Sequence, residues 1–202
     1  MNDLGKHGSP TALVGDESVR FRIEAHHSRV AALSRFLALQ MGLGPSQASL
    51  IADAAALHDI GKLFVSVSYL HKPGALNEDE WEIVRQHPVW GHAMLSPCQH
   101  PSLRLAAMVA LQHHENWDGS GYPHGLSGED IAIESRIVSI CDVYDALRDD
   151  RPYRSGISHD EAVRVIERGD GRTHPTMFDP AVLQAFSQCH SSLGKLYAKN
   201  SL

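Results

Sequence analysis

Apolar residues recur at every third or fourth position along most of this 202-residue chain, and that period confines it to α-helices. Between Glu17 and Gln40 the positions Ile23, Val30, Leu33, Phe36 and Leu37 follow the spacing, and Gly42, Gly44 and Pro45 end the run. A second helix starts near Ser46, carries Leu50, Ile51 and the apolar stretch 54–57, and stops before Gly61, just after His58-Asp59. Asn77 with Glu80 three residues on forms an N-cap and capping partner for a helix through Trp81, Ile83 and Val84. Further helices fit 103–114, 133–147, 158–168 with Ser158 and Glu161 as a capping box, and 180–189 with Asp179 as cap and Pro180 in the first turn. Only Val65-Ser66-Val67-Ser68-Tyr69 alternates, and beside Pro73-Gly74 it reads as an extended loop or a stray short strand. The expected architecture is one all-α domain of about seven helices over residues 17–190, between an N-terminal tail, 1–16, and a C-terminal tail, 191–202.

Composition narrows the function. With 18 Lys+Arg against 24 Asp+Glu the formal charge is −6, which excludes a polybasic DNA-binding surface, and 43% apolar residues exclude a disordered chain. No stretch reaches the roughly 18 consecutive apolar residues of a membrane helix, so no membrane partner is expected. The first 16 residues also lack a basic start and apolar run, which leads to the expectation of a cytoplasmic protein. Cys98, Cys141 and Cys189 are odd in number and far apart, so free, mostly buried thiols are expected rather than disulfides or a cysteine metal site.

Histidine is the residue out of proportion: there are 14, nearly as many as Lys and Arg together. They cluster as His26-His27, His58-Asp59 and His113-His114, with His87 between and Asp142 later on a helix. Imidazole and carboxylate without cysteine suit a hard or borderline divalent ion, which makes a two-metal site the sharp reading. A lone His such as His71, His124 or His174 reads instead as a surface or capping residue. His26 and His27 point about 100° apart on a helix, so both cannot face one ion. His58-Asp59 ends an Ala-rich apolar segment, where buried polar groups need hydrogen bonds or a metal. The run from His113 to Pro123 puts a His pair beside a tight loop whose glycines permit positive φ and close backbone approach.

Taken in order, His58-Asp59-Ile60-Gly61-Lys62, His87-Pro88 with Gly91, the His113 to Pro123 run, Asp142 to Leu147, and Arg151-Pro152-Tyr153-Arg154 resemble the HD-GYP phosphodiesterases. The likeness runs from His27-Ser28-Arg29-Val30 to Phe186, most of the chain. It implies an all-α HD fold and a metal centre, with iron or manganese the expected ions and Ni, Zn or Mg compatible, that hydrolyses cyclic di-GMP. Position by position it implies ligands His27, His58, Asp59, His87, His113, His114 and Asp142, with Asp59 bridging two ions. Lys62, Arg151 and Arg154 fall at positions that hold substrate, and Asp145 at one near the metals and the lysine. Asp59, Lys62 and Asp145 are then the catalytic candidates. The loop Gly121-Tyr122-Pro123 resembles the surface with which family members meet diguanylate cyclase (GGDEF) partners. Ile23 stands four residues before His27, where three-metal members carry a Glu, so two ions are expected.

The residues agree with that chemistry. Two cations about 3.5–4 Å apart lower the pKa of a shared water, polarise a phosphodiester and stabilise the departing oxygen, so no protein nucleophile is needed. Asp142 and Asp145, three apart on one helix face, allow one to ligate while the other orients water or Lys62. Two other classes compete: a non-hydrolytic cyclic di-GMP receptor or cyclase-binding scaffold using the Tyr122 loop, and a general HD nucleotidase that leaves the His113 to Pro123 block idle.

Overall fold

The computed structural model describes residues 17–70, 72, 74–150 and 155–200, and among them every regular element is helical. In chain order these are α1 (Glu17–Gln40), α2 (Pro45–Ala55), a 3-10 turn (Ile60–Phe64), α3 (Val67–Leu70), α4 (Glu78–Val84) and α5 (His87–Leu95). They continue with α6 (Pro101–Gln112), a 3-10 turn (Gly128–Asp130), α7 (Ile133–Arg148), α8 (His159–Arg168), a 3-10 turn (Pro175–Met177) and α9 (Pro180–Lys199).

The expected helices form for the expected reasons. On α1, Val30, Leu33, Leu37 and Ala38 are fully buried at the three-to-four spacing. Gly42 adopts φ +82° after α1, and the Gly42 and Leu43 amides return to the Leu39 and Ala38 carbonyls, a Schellman closure that only a left-handed residue allows. Asn77 and Glu80 exchange side-chain and backbone bonds of 2.9 and 2.8 Å, completing the capping box of α4. Asp179 accepts the Ala181 amide at 2.7 Å and caps α9 behind Pro180.

Helix α7 is buried over most of its surface, at Ile137, Val138, Ile140, Cys141, Tyr144 and Leu147, and is the core helix. Helix α1 packs on α2, α7 and α9; α2 packs on α6; α6 packs on α5; and α5 carries the 3-10 turn 60–64. Gly61 makes that last contact possible: a Cβ there would lie 1.9 Å from the His87 carbonyl oxygen and 2.6 Å from the Gly91 nitrogen.

Three expectations change. Residues 67–70 form a helical turn, not a strand: the Tyr69 and Leu70 amides bond the Ser66 carbonyl, and among the described residues no strand exists to pair with. Helix α5 went unread because Pro88 and Gly91 look like breakers, yet Pro88 sits in the first turn, where a missing N–H costs nothing. Finally, residues 191–199 continue α9 instead of forming a tail, with Leu193 and Tyr197 buried against the core. The expected tail 1–16 lies outside the described residues. Cys141 is fully buried, and Cys98 and Cys189 are half-buried, all as free thiols.

Two substitutions test this packing. Leu193→Ala should cost about 2–5 kcal/mol in urea denaturation, as core truncations do, where a tail residue would cost almost nothing. Gly61→Ala should lower stability by about 1–3 kcal/mol through overpacking against α5.

Candidate metal centre

Five helices deliver side chains to one point. The middle of α1 brings His26, His27 and Arg29; the residues after α2 bring His58 and Asp59; the start of α5 brings His87; the end of α6 brings His113 and His114; and α7 brings Asp142 and Asp145. Three of the histidines are fixed by the same local device. The Nδ1–H of His58 donates to the Ala55 carbonyl (2.6 Å), that of His87 to Val84 (2.7 Å) and that of His113 to Ala110 (2.9 Å). Each acceptor is a carbonyl in the last turn of a helix, where few intrahelical donors remain, three residues before its histidine, and at Ala55 it also takes the His58 backbone N–H at 3.3 Å. The device sets the tautomer: Nδ1 carries the proton, and in the neutral ring Nε2 turns its lone pair inward.

Those Nε2 atoms converge on Asp59. Its Oδ1 lies 3.2 Å from His87 Nε2 and 3.6 Å from His113 Nε2, and these two nitrogens are 3.3 Å apart. Its Oδ2 lies 3.4 Å from His58 Nε2 and 3.8 Å from His26 Nε2. His26 and His58 also face Asp142 Oδ1, at 3.5 and 3.7 Å. Two donor groups result, Asp59 with His87, His113 and His114 on one side and His26, His27 and His58 on the other, each compact enough to hold an ion. Asp59 Oδ1 is buried and accepts no hydrogen bond, although lone pairs from His87 and His113 surround it. A buried point where a carboxylate oxygen and imidazole nitrogens meet is well satisfied by a cation, and nitrogen-oxygen donors without sulfur suit a borderline divalent metal.

The electrostatics agree. Burial alone would raise the Asp59 carboxyl, but Lys62 and His58 beside it hold it well below the usual carboxylate range. Burial likewise opposes ionisation of Asp142, and the His58 hydrogen bond outweighs it, so its pKa falls. Burial pushes His113 down to about 4, and burial with the neighbouring His113 pushes His114 well below the ordinary histidine value, so both stand as neutral donors. At His58 the Asp59 charge overrides burial and raises the ring to about 10, a measure of how strongly the space between Asp59 and Asp142 favours positive charge.

The structure revises two readings. His26, set aside in favour of its neighbour, is the α1 histidine whose Nε2 reaches both Asp59 and Asp142. His27 belongs to the same group, so the two α1 histidines do face one candidate ion position despite their angular spacing; its ring lies 5.5 Å from that of His58, and burial lowers it to about 4. Asp145 does not meet Lys62: its Oδ2 accepts His26 Nδ1 at 2.7 Å and its Oδ1 accepts Arg29 Nε, so it positions a ligand. Lys62 sits on the 3-10 turn, its Nζ on Asp59 Oδ2. Arg29 was missed altogether. It is buried and pairs with Asp145 and Asp149, and its trace in the sequence is the i, i+3 step from His26, which puts both on one face of α1.

The loop after α6 also turns inward. The Tyr122 ring stacks on His114, centroids 4.7 Å apart and 26° between planes, and the Arg85 guanidinium covers its other side at 4.7 Å. Gly121 permits this, because a Cβ there would lie 2.4 Å from the Asn116 nitrogen and 2.5 Å from the His114 oxygen. Buried Glu115 holds the rest of the loop through the His124 and Leu126 amides. Arg151 and Arg154 lie outside the described residues.

An all-helical frame with a His-Asp pair at the heart of a histidine cluster is the arrangement of the HD domain, and the model of that family matches residues 16–182. The chain belongs to the HD domain family. It is 39% identical over 199 residues to the cyclic di-GMP phosphodiesterase response regulator RpfG of Xanthomonas campestris, covering 97% of this chain and 52% of that protein. It is 40% identical over 174 residues to a cyclic di-GMP phosphodiesterase of Thermotoga maritima, covering 86% and 46%. Over 160 residues it is 44% identical to the 3'3'-cGAMP-specific phosphodiesterase 2 of Vibrio cholerae, covering 79% and 30%. The chain thus spans about half or less of the length of these relatives. Among solved structures, Bd1817, an HDG"Y"P protein from Bdellovibrio bacteriovorus, shares the fold with a TM-score of 0.65 at 20% identity, over 87% of this chain and 52% of that one. The HD domain of the phosphodiesterase PgpH of L. monocytogenes, in complex with cyclic-di-AMP, does so with a TM-score of 0.57 at 18% identity, over 89% and 90%. No helix among the described residues is long and apolar enough to cross a membrane.

The buried Arg29 pairs give the centre its frame. Arg29→Met, which leaves Asp145 without its cation, should cost about 3–5 kcal/mol in chemical denaturation, the loss typical of one half of a buried pair.

Proposed function

We propose that this chain is a metal-dependent phosphodiesterase that opens cyclic di-GMP to linear pGpG, with cleavage on to GMP as a second round of the same chemistry. The carrying observation is Asp59, whose two oxygens each face a separate group of histidines. Residues 17–190 with the remaining turns of α9 form the catalytic unit on this reading, and a nucleotide substrate puts the reaction in the cytoplasm.

His87, His113 and His114 would hold one divalent ion, His26, His58 and Asp142 the other, and Asp59 both, with His27 beside the second group. Arg22, four residues before His26, is no more a carboxylate than Ile23, which supports two ions rather than three. Iron or manganese is the pair that the family resemblance implies, with Ni, Zn and Mg compatible, because cellular supply rather than the donor set decides which ion such a site holds. Such a pair, when bound, supplies Lewis acidity toward the phosphodiester and activates water for attack on phosphorus. The chain's own residues do the rest. The Nδ1 bonds to helix ends hold the ligand rings in register before substrate arrives. Asp145 and Arg29 orient His26, and the Tyr122 ring fixes His114 from outside. Lys62, partly exposed beside Asp59, offers its ammonium to a non-bridging phosphate oxygen, a role that Arg151 and Arg154 would share at the far phosphate or base.

The Vibrio cholerae relatives make cyclic GMP-AMP a specific second substrate to compare. Gly121-Tyr122-Pro123 as a docking point for diguanylate cyclases stays a proposal, and with Tyr122 turned onto His114 it would use the loop's outer backbone. A non-hydrolytic receptor is disfavoured by the full complement of ligands.

Metal analysis of anaerobically purified protein, followed by chromatography of products from a nucleotide panel, tests the reading. About two equivalents of metal and conversion of cyclic di-GMP are expected; metal-loaded protein that leaves every cyclic dinucleotide intact would refute it. Asp59→Ala should abolish both metal and turnover, and His26→Ala should lose more of each than His27→Ala.

A further inference from the structure

The four histidines from the residues after α2, from α5 and from the end of α6 are not oriented alike. His58, His87 and His113 each donate Nδ1–H to a helix-end carbonyl, but the His114 ring makes no hydrogen bond among the described residues. An imidazole without such a bond is free to turn about its own axis, and a metal site loses affinity when the group behind a ligand is missing. At His114 ring contacts take the place of the bond. Its ring meets that of His113 with centroids 4.0 Å apart, that of His87 edge to face at 5.0 Å and 86°, and that of Tyr122 face to face at 4.7 Å and 26°.

Two of these walls are themselves fixed, His113 by Ala110 and His87 by Val84. The third, Tyr122, is tied at its backbone: its amide bonds the His114 carbonyl at 3.1 Å, and Gly121 lets the loop close on Asn116 and His114. What holds its ring flat on His114 is Arg85, whose guanidinium carbon lies 4.7 Å from the centre of the Tyr122 ring, on the face away from His114. A guanidinium over an aromatic face is drawn to the ring's negative π-cloud. Arg85 is set in place by the end of α4, where it is the C-cap and its N–H bonds the Trp81 carbonyl at 2.9 Å. The short segment from Val84 to His87 therefore serves two members of one donor group. The Val84 carbonyl orients His87 directly, and the Arg85 side chain reaches His114 across one ring.

We infer that Arg85 is a positioning residue for the metal ligand His114 and acts through the ring of Tyr122. The inference rests on the function proposed above only in taking His114 as a ligand; no contact with substrate enters it.

Titration of the metal-free full chain with Mn²⁺ against a competing chelator, alongside steady-state turnover of cyclic di-GMP, tests it. Arg85→Met, which keeps an apolar stem and removes the cation, should weaken one bound Mn²⁺ roughly tenfold, as loss of a group supporting a ligand does. The other ion should bind as in the wild type, which shows that the fold is intact, and KM at saturating Mn²⁺ should not change. Arg85→Lys, which keeps a cation for the ring, should restore most of the lost affinity. Tyr122→Leu should weaken the same ion, and Arg85→Met should then add less than about twofold, because the two act as one unit. The assignment is overturned if Arg85→Met binds both ions as the wild type does, if it weakens both alike, or if Arg85→Lys binds no better than Arg85→Met. It is also overturned if Arg85→Met costs as much in the Tyr122→Leu background as alone, if KM rises while Mn²⁺ affinity holds, or if the wild type binds no Mn²⁺. The expected pattern of Mn²⁺ affinities in a chain that turns over no cyclic dinucleotide would support the role of Arg85 and refute only the hydrolytic reading.

Discussion

The structure is organised around one desolvated carboxylate. Asp59 is almost fully enclosed, and its two oxygens look in opposite directions into nests of imidazole nitrogen. Burying that charge would cost several kcal/mol without compensation. The compensation comes from Lys62 on the 3-10 turn and from the imidazoles of His58, His87 and His113, so the segment after α2 is bound to α5 and α6 through the group least suited to the interior. The apolar contacts of Val30, Leu33, Ile137 and Ile140 supply the bulk of the burial, but they do not fix which turn of α1 faces which turn of α7. The polar links from His26 and Arg29 to Asp142 and Asp145 do.

How much of this could be read from the chain follows the range of the forces concerned. Local signals were legible: the Asn77-Glu80 capping box, the Gly42 closure of α1 and the Asp179-Pro180 start of α9 depend on residues a few positions apart. Helix α5 was obscured because Pro88 and Gly91 signal a break locally, while their uses, a first-turn position and a close contact with Gly61, show only once the elements are docked. The end of α9 failed for a related reason. Residues 191–199 are polar at most positions, and only packing tells that Leu193 and Tyr197 face inward.

The site divides in the same way. His58, Asp59, His87, His113, His114 and Asp142 stand in ordered blocks, and the fold brings all of them together. Choosing between His26 and His27 needs the rotation of α1 about its own axis, which depends on how Arg29 docks between Asp145 and Asp149, more than 110 residues away in sequence. Asp145 shows the same limit: its place on the Asp142 face was readable, but its partner was not. The loop 119–123 shows it once more. Its glycines announced a tight turn, yet the stacking of Tyr122 depends on His114 after α6 and Arg85 after α4 meeting at one ring.

The Nδ1 bonds of His58, His87 and His113 carry a consequence for motion. Helix ends are ordinarily the first parts of a fold to open, because their last carbonyls lack partners. At α2, α4 and α6 those carbonyls are occupied by the rings that also serve the centre. A cation that pulled on the inner nitrogens would therefore pull on three helix termini at once, and fraying at any one of them would be felt as a loosened ligand. Order at the centre and order at the helix ends are one degree of freedom, so hydrogen exchange at these three termini would slow together as the site fills.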